Sequence, residues 1–233
     1  MKNNYKLYAF EDTEHLVSSL CERIVSDLKR AIDARGGACL AVSGGSTPKK
    51  LFERLSLADL EWDKVTLTLV DERWVNSYDE NSNERLVYEH LIKNKAKSAK
   101  FIPLKNIVSR AKEGTEITQN RLKNIQSLDV VVLGMGTDAH TASFFPSKYE
   151  IEELENALST EDLCCATTAT AEPTERITIS RSFLLTASSL LLHIEGRVKK
   201  DVFDTACMSD DYLKMPIISM MQQEKPILEV YYA

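Results

Sequence analysis

Runs of β-branched and other apolar residues alternate along this chain with stretches of helical periodicity. Residues 5–10 (YKLYAF) predict a strand. Residues 13–34 predict a long amphipathic helix, because Leu16, Leu20, Ile24, Leu28 and Ile32 fall on one stripe. Ala38–Val42 reads as a short buried strand, followed by a turn and a helix over 48–55. Val65–Val70 is a strand, 83–93 a helix, Phe101–Leu104 a short extended piece and 109–125 a helix. Asp129–Leu133 (DVVVL) is strongly strand-like; strands near 164–168, 176–180 and 189–194, a helix over 197–208 and a strand near 227–232 complete the series. Continuous apolar strands separated by helices point to an α/β fold, a mostly parallel sheet with helices on both faces. No repeat, low-complexity tract or linker divides the chain, so one domain over residues 1–233 is expected.

In open α/β sheets, ligands bind outside the carboxyl ends of the strands. Three polar, glycine-bearing segments fall at such ends. The first, Ser43–Pro48 (SGGSTP), joins a strand to a helix. Gly44 and Gly45 can take backbone angles closed to other residues. Ser46 or Thr47 suits the N-cap and Pro48 the first helical turn. Amides at a helix N-terminus suit phosphate, and an ordinary capped turn fits the same residues equally well. Asp71, Glu72 and Arg73 follow the next strand directly, and such charges fit either a cleft or a solvated, mutually paired strand end. Ser82–Asn83 caps the following helix and could also face the cleft.

The third segment, residues 133–146 (LGMGTDAHTASFFP), places Asp138 and His140 two residues apart on a loop. Histidine is the side chain whose ordinary pKa, about 6.5, permits both base and acid roles near neutrality. His15 and His90 lie in predicted helices and His193 in a predicted strand, and all three are assigned structural roles.

Charge and composition narrow the chemistry. The formal net charge of -6 argues against general nucleic-acid or anionic-membrane binding, so a small anionic ligand must be held by a few placed cations and amides. No apolar stretch approaches the ~18 residues a membrane span needs, and a cytoplasmic protein is expected. The five cysteines, Cys21, Cys39, Cys164, Cys165 and Cys207, lack metal-ligand spacing and suit reduced, mostly buried thiols.

Taken together, SGGSTP, DERWV with the later SN, and GMGTDAHTASFFP, in this order and spacing, resemble the 6-phosphogluconolactonases, which belong to a wider group that includes glucosamine-6-phosphate deaminase. PTERITIS (Pro173–Ser180) and GRVKKD (Gly196–Asp201) match further, so the resemblance spans roughly residues 10 to 230. It implies a doubly wound, three-layer Rossmann-like fold, no metal and no organic cofactor, and a phosphorylated sugar lactone as the small-molecule partner. By the same resemblance, Ser43, Gly44, Gly45, Ser46 and Thr47 hold the phosphate with Arg176 and Lys199; Asp71 and Arg73 line the sugar pocket; and His140 is the central catalytic group, with Asp138 and Asp71 in its catalytic set. Arg176 and Lys199 fit surface charges flanking a strand and a helix as well. Whether Asp138 orients the imidazole or holds a sugar hydroxyl stays open at this level, as does the oligomeric state.

One departure is local: the family usually has Gly between the Asp and His of the third motif, where this chain has Ala139. A methyl group forbids little there unless the residue needs a positive φ. A sugar-phosphate deaminase carries a Glu shortly before the proline of that motif, whereas Phe144 and Phe145 precede Pro146 here. A non-catalytic sugar-phosphate sensor would keep SGGSTP without needing Asp138 or His140.

Overall fold

The computed structural model describes residues 4–146 and 150–233. Seven strands form a wholly parallel sheet: β1 (Tyr5–Ala9), β2 (Ala38–Val42), β3 (Val65–Leu69), β5 (Lys100–Ile102), β6 (Val130–Leu133), β9 (Ser189–Ile194) and β10 (Leu228–Tyr232). Their spatial order is β1-β10-β9-β6-β2-β3-β5. Helices α1 (Thr13–Arg35), α2 (Lys49–Ser56), α3 (Asn83–His90), α4 (Ala111–Leu122), α5 (Ile151–Ser159), α6 (Arg181–Leu184) and α7 (Arg197–Cys207) complete a three-layer, Rossmann-like α/β fold. Every residue of β2, β6 and β9 is buried, which explains why these strands read as unbroken apolar runs instead of alternating ones. No helix among the described residues is long and apolar enough to cross a membrane.

The strand order reverses between β2 and β6. From β2 the chain runs outward through β3 to β5, then returns to the other side of β2 as β6 and runs outward again through β9 to β10. The loops leaving β2 and β6 therefore part in opposite directions and open a crevice at their carboxyl ends. SGGSTP follows β2 and GMGTDAH follows β6, so the switch point brings the first and third motifs together.

Three strands lie outside the large sheet. β4 (Asp71–Arg73), β8 (Glu175–Ile179) and β7 (Cys164–Thr168) pair antiparallel as a small second sheet. Val70 joins the two sheets, its amide donating to the Val42 carbonyl and its carbonyl accepting from the Ile179 amide. The residues expected to end a parallel strand in free charges thus begin a strand of another sheet. Helix α5 was not expected from the pattern, although Leu154 and Ala157 give it a buried face. None of the five cysteines is in a disulfide, and four are buried.

Candidate active site

The crevice is a cavity of roughly 220 Å³ lined by the whole of Ser43–Pro48, by Asp71, Arg73 and Asn83, and by residues of the β6 loop including Gly134, Gly136 and His140; His193 and Lys199 complete it. The three motifs, far apart in sequence, meet there.

The β2 loop is shaped by contacts at both ends. Gly45 has φ +91°, in the region that favours glycine. A Cβ on Gly44 would lie 1.8 Å from Asn83 Oδ1, so only glycine lets the loop sit against that side chain. Asn83 Nδ2 in turn donates to the Asp71 carbonyl at 2.9 Å, tying the phosphate-type loop to β4. Ser43 Oγ accepts from the Gly134 amide at 3.1 Å, joining the β2 and β6 loops. Neither Ser46 nor Thr47 caps α2: the N-cap is Pro48, with no side-chain cap bond. The Thr47 hydroxyl instead accepts from Lys199 Nζ at 3.1 Å, which brings the first turn of α7 to the loop. Burial pushes the Lys199 amine down, against the upward pull of Glu195.

The β6 loop holds Asp138 and His140 as a pair. Asp138 Oδ1 lies 2.6 Å from His140 Nδ1 and 3.2 Å from the His140 amide. Burial raises the Asp138 carboxyl, but the hydrogen bond and charge of His140 more than offset this and hold it below its ordinary value. An ionised Asp138 only accepts, so a neutral His140 ring carries its proton on Nδ1 and leaves Nε2 as a lone pair. Gly136 makes the pair possible: a Cβ there would come within 2.3 Å of His140 Nδ1 and 2.5 Å of Asp138 Oδ1. Ala139 has φ +65°, the positive value at which a methyl group matters. Its carbonyl accepts from the Ile217 amide at 3.0 Å and its amide donates to the Gly136 carbonyl at 3.1 Å, which holds the strained residue in place. Phe144 is fully buried in the core, and the Phe145 ring lies 5.0 Å from His140.

The DER triplet divides by role. Asp71 lines the cavity, and its Oδ2 accepts from the buried Ser143 hydroxyl at 2.6 Å. Arg73 lines it too, donating through Nη1 to the Asn81 carbonyl at 2.7 Å. Glu72 faces away and is buried; its carboxyl accepts from the Arg73, Asn83 and Glu84 amides and from Ser82 Oγ, securing the start of α3. Burial drives it up to about 7 against the pull of those three amides, with Asp71 adding to the rise.

Arg176 does not line the cavity. It sits directly opposite Arg73 in the β4–β8 ladder, buried, with its guanidinium 5.9 Å from the Phe145 ring. Burial and the neighbouring Arg73 push it down, while Asp71 and Glu72 pull it back. His15 pairs with Asp12 and His90 with Glu53, both away from the cavity. His193, expected as a plain strand residue, does line it; its Nε2 lies 2.9 Å from Glu195 Oε1. Its signal was available in the sequence, since HIE repeats the two-residue spacing of DAH at a neighbouring strand end. Among the described residues, no group of three or more His, Cys, Asp or Glu is placed to hold a metal ion.

Known proteins share both sequence and architecture with this chain. A family model for glucosamine-6-phosphate isomerases/6-phosphogluconolactonase matches residues 11–228. A 6-phosphogluconolactonase of Rhizobium meliloti (strain 1021) is 43% identical over 229 residues, covering 97% of this chain and 98% of its own. One from Mesorhizobium japonicum is 40% identical over 232 residues, covering 99% and 96%. The crystal structure of a 6-phosphogluconolactonase from Shewanella baltica OS155 superposes with a TM-score of 0.95 at 45% identity, covering 100% of this chain and 99% of that one. The chain is an enzyme and belongs to the glucosamine-6-phosphate isomerase/6-phosphogluconolactonase family.

Proposed function

We propose that this enzyme hydrolyses 6-phospho-D-glucono-1,5-lactone to 6-phospho-D-gluconate, a step of the oxidative pentose phosphate pathway, in the cytoplasm and as one domain over residues 1–233. The observation that carries the reading is the Asp138–His140 pair at 2.6 Å, sharing a cavity with a glycine-rich loop and Lys199. One end of the cavity suits a phosphoryl group, and the other presents a neutral base.

His140 Nε2 takes a proton from water as the water oxygen adds to C1 of the lactone. The carbonyl π electrons move onto oxygen, giving a tetrahedral oxyanion. Arg73 is the nearby group suited to that charge, because the Gly134 and Gly136 amides already donate to Ser43 Oγ and to the His140 carbonyl. Collapse reforms the carbonyl and breaks the bond from C1 to the ring oxygen, which receives the proton from the His140 imidazolium. Such a base contributes about 10²–10⁴-fold. Asp138 acts through His140 by fixing its tautomer and is a positioning residue. Asp71, held by Ser143, is placed to accept from a sugar hydroxyl. The amides of Gly44–Thr47, with Lys199, hold the phosphate, and this remote grip orients C1 for attack. Arg176, beside Arg73 in the β4–β8 ladder, adds its positive charge. The reaction so written needs no metal ion and no organic cofactor.

The competing activity, deamination of a sugar phosphate, would need an acid in place of Phe144 or Phe145; Phe144 is buried in the core. Turnover of freshly generated 6-phosphogluconolactone, measured beside ammonia release from glucosamine 6-phosphate, separates the readings. Lactone hydrolysis well above the spontaneous rate, unaffected by EDTA, is expected. Ammonia release without lactone turnover would overturn the proposal, and binding without turnover of either would make the chain a sensor.

A further inference from the structure

The mechanism above leaves one cavity-lining titratable side chain unused. His193 stands near the carboxyl end of β9, the strand beside β6, and is 2% exposed. Its Nε2 is engaged by Glu195 Oε1 at 2.9 Å. Its Nδ1 is buried and has no hydrogen-bond partner among the described residues. Buried polar atoms in folded proteins are overwhelmingly partnered, so an unpartnered one in a residue that lines a ligand cavity points to a ligand atom as its partner.

The surroundings indicate which kind. The same cavity is lined by Gly44–Thr47 and Lys199, the groups assigned above to phosphate. Glu195 also accepts from Thr13 Oγ1 at 3.2 Å, and Lys50 of α2 adds its positive charge nearby. Around His193, then, are Glu195 directly, Lys199 from α7, Lys50 acting through Glu195, and His140, Asp71 and Arg73 elsewhere on the cavity wall. With Glu195 ionised, Nε2 carries a proton and donates to it, so a neutral ring would meet a ligand with the Nδ1 lone pair. A lone pair repels a phosphoryl oxygen, whereas a protonated Nδ1 donates to it.

We propose that His193 is a further phosphate-binding group, which takes up one proton from solvent as the ligand's phosphoryl dianion enters and is held in its charged form by Glu195. The step forms one Nδ1–H bond and makes one hydrogen bond to the dianion; no covalent bond of the ligand changes. The proposal rests on the reading that this end of the cavity binds phosphate, and it does not require the lactonase chemistry.

The test is calorimetric binding of inorganic phosphate and of 6-phosphogluconate at pH 8, where both are dianionic at phosphorus, in buffers of different ionisation enthalpy. Wild type is expected to take up close to one proton per ligand bound. His193→Asn keeps a polar group near the Nδ1 position that cannot become charged; it should lose that uptake and bind about tenfold more weakly. Glu195→Gln, at a part-exposed position, guards against misfolding of the first variant, and it should reduce both uptake and affinity. No proton uptake by wild type, or uptake and affinity unchanged in both variants, would overturn the proposal. A loss of saturated turnover with affinity intact would also contradict it, since His193 would then serve the chemistry and not the phosphate. A wild type that takes up the proton with inorganic phosphate yet does not open the lactone would refute the lactonase reading while leaving this one standing.

Discussion

Two histidine–carboxylate pairs stand on neighbouring strand ends, each spaced two residues apart, and they differ in which nitrogen they leave free. After β6, Asp138 holds His140 by Nδ1 and leaves Nε2 available; after β9, Glu195 holds His193 by Nε2 and leaves Nδ1. The His140 side chain is 34% exposed and that of His193 only 2%. The first can meet water and the reacting carbon, and it suits proton transfer. The second is almost wholly buried beside the cavity, and on the proposal above it serves recognition. The same two residue types therefore serve different ends according to burial and to the side of the ring the carboxylate takes.

The largest effect should come from the exposed pair. His140→Ala is expected to lower saturated turnover by about 10²-fold or more while 6-phosphogluconate affinity changes little, because the base acts mainly in the transition state. Steady-state kinetics with calorimetric product binding checks this, and near wild-type turnover would remove His140 from the mechanism. Asp138→Asn comes next. It keeps a partner for the ring but no longer favours the productive tautomer, so turnover should fall by roughly tenfold or more, again without a matching loss of affinity. Glu195→Gln should show the reverse division, and similar turnover losses in the two variants would erase the contrast.

A third carboxylate, without a histidine, sharpens the comparison through stability. Burial raises Glu72 to about 7 in the folded protein, from an ordinary 4.5. A raised folded-state value means that its contribution is fully present below the unfolded value and is lost as pH rises through about 7. The loss is on the order of 1–3 kcal/mol. Glu72→Gln cannot titrate, so the excess stability of wild type over this variant should shrink between pH 5 and pH 8 in urea unfolding. A gap that is constant or widens would show that the carboxylate is held ionised by its amide donors throughout. Smallest is Ala139→Gly. Left-handed backbone costs a residue with a Cβ about 1–2 kcal/mol, partly offset by the greater freedom of glycine in the unfolded chain. Thermal unfolding should show stabilisation of up to about 1 kcal/mol with turnover within about twofold; destabilisation would mean that the methyl group's buried packing outweighs the strain.

The switch point was legible in the sequence because β2, β6 and β9 are buried on both faces and read as unbroken apolar runs, each followed by its polar loop. The second sheet was not, since the pairing of Asp71–Arg73 with Thr178–Arg176 joins segments about a hundred residues apart and no local pattern encodes it. That pairing also sets Arg176 directly beside Arg73, where it does not line the cavity. Thr47 looked like a helix cap because hydroxyl residues before a helix usually are; the approach of Lys199 redirects it. His193 had only the HIE spacing to mark it, for a histidine in SLLLHI by itself has the same pattern whether it packs in a core or borders a cavity. Ala139 was the opposite case, where a one-residue departure raised the question of a positive φ and the structure has one.

The central claim is that Asp138 leaves His140 Nε2 as a free base, and nitrogen-15 NMR of the ring nitrogens tests it most directly. In the free protein, at a pH where the rings are neutral, the His140 proton should reside on Nδ1 with Nε2 bare, and the His193 proton should reside on Nε2 with Nδ1 bare. In Asp138→Asn the His140 preference should weaken while His193 is unchanged. A His140 ring carrying its proton on Nε2 in the wild-type protein would contradict the account, because that nitrogen could not then take a proton from water.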